Sequence, residues 1–227
     1  MQKKPLLTRI IQSLCVLVLL SGIHSTAYSR TKWEPGYLVK NNGDTLRGLI
    51  FFRHGHKSPA TVSLKLEKDQ SASVYKPIDV SMFSVVEDAQ QIYYSSFVTD
   101  IDHSTITLDQ LESSPVVKPT RDTVFSQLIL KGKKSLYLYV DRLNRKDHYL
   151  VTDEAGIATD LYNKRYFVGT DRINTTYSGQ YKLQLQKLFS DCSKITMAQI
   201  DAPTFTKRNI IKLVTIPSYT QDICVNV

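Results

Sequence analysis

From Gly36 onward apolar and polar residues alternate with the two-residue period of strands that bury one face. Tyr37 and Val39 share a face, Asn41-Asn42-Gly43-Asp44 has turn chemistry, and residues 45–52 run back, which predicts a β-hairpin. Further strands are expected at residues 61–66, near Val74 and Tyr75, and at 82–86, 91–98 and 105–108. A second block places strands at 124–131 and 135–141 around Gly132-Lys133-Lys134. In it Leu136, Leu138 and Val140 face one way, toward burial between sheet layers, and Ser135, Tyr137 and Tyr139 the other. A charged turn at 141–147 leads into a strand at 148–152, and strands at 157–162 and 165–168 complete the block.

After Gly179 the period changes. Tyr181, Leu185, Leu188, Phe189 and Cys192 recur at helical spacing, and a second helix is expected at 206–214, with Thr206 as its cap and Pro217 as its stop. No amphipathic helix separates the early strands, so parallel crossovers are excluded and the sheet should be antiparallel. The expected class is α+β: a mostly antiparallel β-rich body over residues 30–178 and a short C-terminal helical pair over 179–227.

The first 29 residues break this pattern. Lys3, Lys4 and Arg9 precede an apolar run at 10–20, and Ala27-Tyr28-Ser29 supplies small residues at a cleavage site, which predicts a signal peptide cut after Ser29. The run is short of the roughly 20 residues that span a bilayer, which disfavours an anchor. Cys15 lies inside the run rather than after it, which disfavours lipidation. The rest of the chain offers no transmembrane helix, so an exported protein, periplasmic or associated with the outer membrane, is expected. Removing the leader takes three cations off the formal +8 and leaves +5, a surplus that keeps a domain soluble and does not call for nucleic acid. Two cysteines remain, Cys192 and Cys224, in a compartment that oxidises thiols. A disulfide between them is expected to contribute roughly 3.5 to 4 kcal/mol through loop-closure entropy. Two separate buried thiols are the alternative.

Several segments resemble a family of uncharacterised secreted proteins from Bacteroidota in which this region commonly precedes an outer-membrane β-barrel. They are Gly36-Tyr37-Leu38-Val39 with Asn42-Gly43-Asp44-Thr45-Leu46-Arg47-Gly48, then Tyr75-Lys76-Pro77-Ile78-Asp79-Val80 with Phe83, and Phe125 to Gly132 with Ser135-Leu136-Tyr137. Asp191-Cys192 and Cys224 are similar to the family's late cysteine pair. The resemblance covers nearly the whole mature chain and brings no catalytic motif with it. It implies a stand-alone or truncated version of the longer members, because this sequence ends three residues after Cys224.

Candidate chemistry is sparse. His54-Gly55-His56 reads either as a turn after Phe52-Arg53 or as an extended piece with two imidazoles on one face, where a metal needs a third ligand that only His103, His148 or scattered carboxylates could provide. Asp100-Ile101-Asp102-His103 places carboxylate beside imidazole but reads as a solvated turn. There is no Gly-x-Ser-x-Gly elbow and no phosphate-binding glycine loop. Lys131-Gly132-Lys133-Lys134 and Arg142-Leu143-Asn144-Arg145-Lys146 have the composition to meet an anionic glycan, lipid headgroup or nucleic acid, and read as solvated hairpin tips. Asn174-Thr175-Thr176 reads as a polar turn, and Tyr93, Tyr94, Tyr137 and Tyr139 as sheet surface or core edge. The expected function is a non-enzymatic cell-envelope binding or scaffolding module. It would carry no cofactor and bind no nucleic acid, and its partner would be an outer-membrane or envelope protein. The alternative is a periplasmic metal-dependent hydrolase using His54 and His56.

Overall fold

The computed structural model describes residues 33–53, 57–191, 197–201 and 204–218. Ten strands form one antiparallel sheet: β1 (Glu34–Lys40), β2 (Thr45–Phe51), β3 (Val62–Lys65), β4 (Ser73–Tyr75), β5 (Val80–Glu87), β6 (Gln90–Ile101), β7 (Thr120–Leu130), β8 (Leu136–Val140), β9 (Asp147–Thr152) and β10 (Ala158–Asp160). Their order is β10-β9-β8-β7-β6-β5-β1-β2-β3-β4. Two hairpin-connected runs, β1 to β4 and β5 to β10, therefore meet along the β1/β5 pair, where Leu38 lies opposite Phe83. A separate hairpin joins β11 (Arg165–Val168) to β12 (Asn174–Tyr177). Three helices follow: α1 (Gln180–Leu188), α2 (Met197–Asp201) and α3 (Lys207–Ser218). The architecture is α+β with a β-rich body, as the alternating pattern requires. Among the described residues no helix is long and apolar enough to cross a membrane.

The register shows how the faces are filled. On one face Leu38, Ile50, Leu64, Phe83, Tyr94 and Phe125 form a core across β1, β2, β3, β5, β6 and β7. On the same face of β8 and β9, Leu136, Tyr149 and Val151 pack against Tyr181 and Leu185 of α1 and Ile210, Leu213 and Val214 of α3. The opposite face carries a third core of Ile101, Val124, Tyr139, Leu150 and Ala158. That core is enclosed because the sheet curls: β10 reaches the end of β6, where Thr99 Oγ1 donates to the Ala158 carbonyl at 2.8 Å. Strand β9 is thus covered on both sides.

Two glycines set the spacing of the first run. Gly36 and Gly48 face each other across β1 and β2. A Cβ on Gly36 would stand 2.2 Å from the Ser84 carbonyl oxygen, and one on Gly48 would stand 2.1 Å from that of Lys65. Only a residue without a side chain lets the flanking strands come this close.

Several expectations are corrected. Leu136 is buried and Leu138 half-buried, but in a core shared with helices rather than with a second sheet layer. Tyr94 and Tyr139 lie in the interior, and burial, with Glu87 nearby, pushes the Tyr94 phenol up to about 12. Residues 105–108 form no strand and lead into a 3-10 turn at Leu108–Gln110. Asn174–Tyr177 is a strand rather than a turn, since Thr175 and Thr176 suit an extended chain whose partner Arg165 donates to Thr175 Oγ1. Thr206 caps α3 by accepting from the Asn209 N–H at 3.4 Å, and the helix continues through Pro217 to Ser218, so the proline falls in the last turn instead of after it. The signal segment, Cys192 and Cys224 lie outside the described residues.

Candidate functional site

The 141–146 connection between β8 and β9 is built in detail. Asp141 N–H donates to the Lys146 carbonyl at 2.9 Å and Arg145 N–H to the Asp141 carbonyl at 3.1 Å, which closes the turn. Within it Asp141 Oδ1 accepts from Leu143 N–H at 2.7 Å and Asn144 Oδ1 from Lys146 N–H at 2.8 Å. Arg145 sits in the left-handed region at φ 60°, which a non-glycine residue adopts only when its surroundings enforce it. Here the enforcement comes from below, where Asn144 Nδ2 donates to the Ser104 carbonyl at 3.1 Å. The turn leaves Arg142, Leu143 and Arg145 exposed.

Beneath it lies a buried charge network that draws on β6, β8, β9 and β10. Asp102, Asp141, His148 and Asp160 are each 1% exposed. Lys146 Nζ donates to the Asp102 carboxylate, to the Asp102 carbonyl at 3.0 Å and to Ser104 Oγ at 3.1 Å. His103 Nδ1 lies 2.7 Å from Asp141 Oδ2, and His148 Nδ1 lies 2.9 Å from Asp160 Oδ2, which also accepts from Asp102 N–H. Burial alone would raise the Asp102 carboxyl, but the Lys146 ammonium and the Ser104 hydrogen bonds outweigh it and hold the group below its ordinary range. For Asp141 burial is likewise outweighed, by His103, the Leu143 N–H and His148.

This arrangement corrects the reading of Asp100 to His103 as a solvated turn. Asp100 and Ile101 end β6, Asp102 is buried, and His103 is half-buried. Within the cluster His103 stands between two carboxylates. His103 Nε2 faces Asp122 Oδ2 at 3.7 Å while its Nδ1 takes Asp141, so both ring nitrogens look at carboxylates and neither at a hydroxyl nucleophile. Among the described residues no group of three His, Cys, Asp or Glu side chains could hold a metal. His54 and His56, the core of the hydrolase alternative, lie outside the described residues.

The turn instead walls a cleft. Arg142 and Arg145 on one side meet Arg53 and Lys57 from the β2–β3 connection across a cavity of about 490 Å³, with Phe51, Pro59 and Ala60 also lining it. The walls are joined: Ser58 N–H donates to the Val140 carbonyl at 3.0 Å, Val140 N–H returns to Ser58 Oγ at 2.9 Å, and Lys57 Nζ donates to the Arg142 carbonyl at 2.6 Å. The lining holds four cations and no carboxylate, and among the described residues none of the four pairs with an acid. Trp33 stands beside it, with its ring centroid 5.5 Å from that of Phe51.

The two basic clusters therefore part company. Lys134 is tied to the end of α1 by the Leu188 carbonyl and by Asp191 at 2.5 Å, and Lys146 is buried on Asp102, so neither is a solvated tip. Arg142 and Arg145 converge on Arg53 and Lys57, two residues that the sequence reading did not single out. Their only sequence signal is that they bracket His54-Gly55-His56. The chain matches no family model, no curated protein and no solved structure.

Proposed function

We propose that the mature chain is an exported, non-catalytic binding module of the cell envelope that holds an anionic ligand or partner in the cleft between Arg53, Lys57, Arg142 and Arg145. The observation that carries this reading is the convergence on one concavity of four cations, none of which pairs with an acid among the described residues. Like charges gathered without counterions raise the local potential and cost stability in isolation, a cost that an anion relieves. The leader pattern and the resemblance to secreted Bacteroidota proteins support the compartment. The absence of an elbow nucleophile from the sequence, and the double engagement of His103 by carboxylates, support binding over hydrolysis.

The test is thermal unfolding of the mature chain with added citrate or pyrophosphate at constant ionic strength. Binding to the folded state alone raises the midpoint with ligand concentration. The wild-type chain should show that rise, and the Arg142→Glu, Arg145→Glu double variant should lose it. Equal midpoint shifts in both proteins would remove the cleft from the reading.

A further inference from the structure

Strands β6 and β7 pair to their ends, where Ile101 stands opposite Thr120, yet the chain between those two runs through residues 102–119. Neighbouring antiparallel strands need only a few residues to turn, and a connection this long with little structure of its own is uncommon in a compact domain. This one carries only the 3-10 turn at Leu108–Gln110. Its root is fixed: Asp102 N–H donates to Asp160 Oδ2 at 3.2 Å, and the Ser104 carbonyl accepts from Asn144 Nδ2 at 3.1 Å. Beyond Ser104, among the described residues, the hydrogen bonds that reach it from the rest of the chain come from Lys164, Phe167 and Arg172, in or next to the β11–β12 hairpin. Lys164 Nζ donates to Glu112 Oε2 at 2.6 Å and to the Val116 carbonyl at 2.8 Å. Phe167 N–H donates to the Glu112 carbonyl at 2.9 Å, and Arg172 Nη2 to the Asp109 and Leu111 carbonyls, each at 3.1 Å. Leu111 is the one buried residue among 105–119, and neither it nor Phe167 belongs to any of the three cores.

We propose that residues 105–119 form a strap that opens as a unit while the sheet stays closed, with Lys164 as its latch. The strap leaves and rejoins the sheet at facing residues of one ladder, so it can swing off the hairpin without breaking a rung between β6 and β7. Segments with few buried apolar contacts are the ones that open at low free energy, and this one buries a single leucine. The buried Lys164 ammonium loses both strap acceptors when the strap lifts, which draws it back. On the other side of the latch Glu112 faces water, which keeps the pair weak enough to release. Opening uncovers Leu111, Phe167 and the Lys164 ammonium together.

The Phe167 amide is the reporter, because its acceptor lies on the strap. Native-state hydrogen exchange of the mature chain across low urea concentrations would compare it with the amides of the β6–β7 ladder. The Phe167 amide should exchange faster than the ladder amides, at a rate that hardly changes with urea, since a local opening exposes little surface. Lys164→Met should speed the Phe167 amide by about 10-fold, the low end for a charge-assisted bond because Glu112 faces water. Arg172→Asn, which suits the left-handed backbone there at φ 56°, should act in the same direction and serves if the lysine variant does not fold. Phe83→Leu, in the core of the sheet, should speed the ladder amides and leave the Phe167 amide as it is. A Phe167 amide that follows the ladder amides in urea or in Phe83→Leu opens only when the sheet unfolds, which overturns the inference. An unchanged Phe167 amide in a folded Lys164→Met chain removes the latch and overturns it too.

Discussion

Asp141 joins the buried network to the turn that carries Arg142 and Arg145, and replacing it should measure how far one depends on the other. Its carboxylate holds His103 Nδ1 at 2.7 Å and the Leu143 N–H at 2.7 Å, with His148 Nε2 a further 4.0 Å away. Asp141→Asn keeps an oxygen for Leu143 but removes the charge from His103, and a bond to a charged group contributes about 1.5 to 3 kcal/mol. His103 is partly exposed, so the lower half of that range applies. Asp141→Ala also removes the acceptor for Leu143 and leaves His103 without its partner, for a total loss of about 3 to 4 kcal/mol. Urea unfolding at pH 7 reads both. The pH dependence adds a signed check. The folded-state carboxyl is held below its ordinary value, so its stabilisation is complete above about pH 4 and is lost as pH falls through the folded value. The acid limb of the stability profile should therefore flatten in Asp141→Asn, with the Asp102 contribution remaining. An amide variant within about 0.5 kcal/mol of the parent at pH 7, with an unchanged acid limb, would refute this account of the turn.

Gly36→Ala and Gly48→Ala should each destabilise by about 3 kcal/mol or more in urea melts, although alanine ordinarily gains about 0.5 to 1 kcal/mol over glycine inside a strand, because the new Cβ meets a neighbouring carbonyl; a stabilised variant would show that the strands separate freely. Lys146→Met should cost about 3 to 5 kcal/mol by stranding the buried Asp102 carboxylate, and adding Asp102→Leu should recover much of it, as a double-mutant cycle would show. Mass spectrometry of the mature protein without reductant should find Cys192 joined to Cys224 and an N-terminus at Arg30; two freely alkylated thiols would refute the pairing.

The parts of this fold that were legible in the sequence are those where one face is wet. β1 and β2 alternate cleanly around Asn42-Gly43, and the pattern places them to within a few residues. β9 is buried on both faces, so His148-Tyr149-Leu150-Val151 carries no alternation to say which side is core. The tyrosines of β8 misled for the same reason, since the curl of the sheet encloses Tyr139 while α1 and α3 cover Leu136 behind it. β12 was hidden by the opposite cause: a polar strand of intermediate and exposed residues has no apolar face to read. The charge network and the cleft were illegible because their partners are distant in sequence. Asp102 meets Lys146, and Arg53 meets Arg142, only after β2, β6 and β8 have taken their places in the sheet.

The strand order also bears on how the chain reaches this state. Every neighbour in the large sheet is also a neighbour in sequence, apart from β1 with β5. Hairpin formation is local and fast, whereas the β1/β5 union must close the stretch of about 40 residues between Lys40 and Val80. The molecule is therefore two ribbons of sequence-neighbouring strands joined at one long-range seam, with Leu38 and Phe83 on either side of it. If the seam forms after the rate-limiting barrier, trimming either side chain accelerates unfolding and leaves the folding limb of the chevron almost unmoved; a slowed folding limb would place the seam in the nucleus instead.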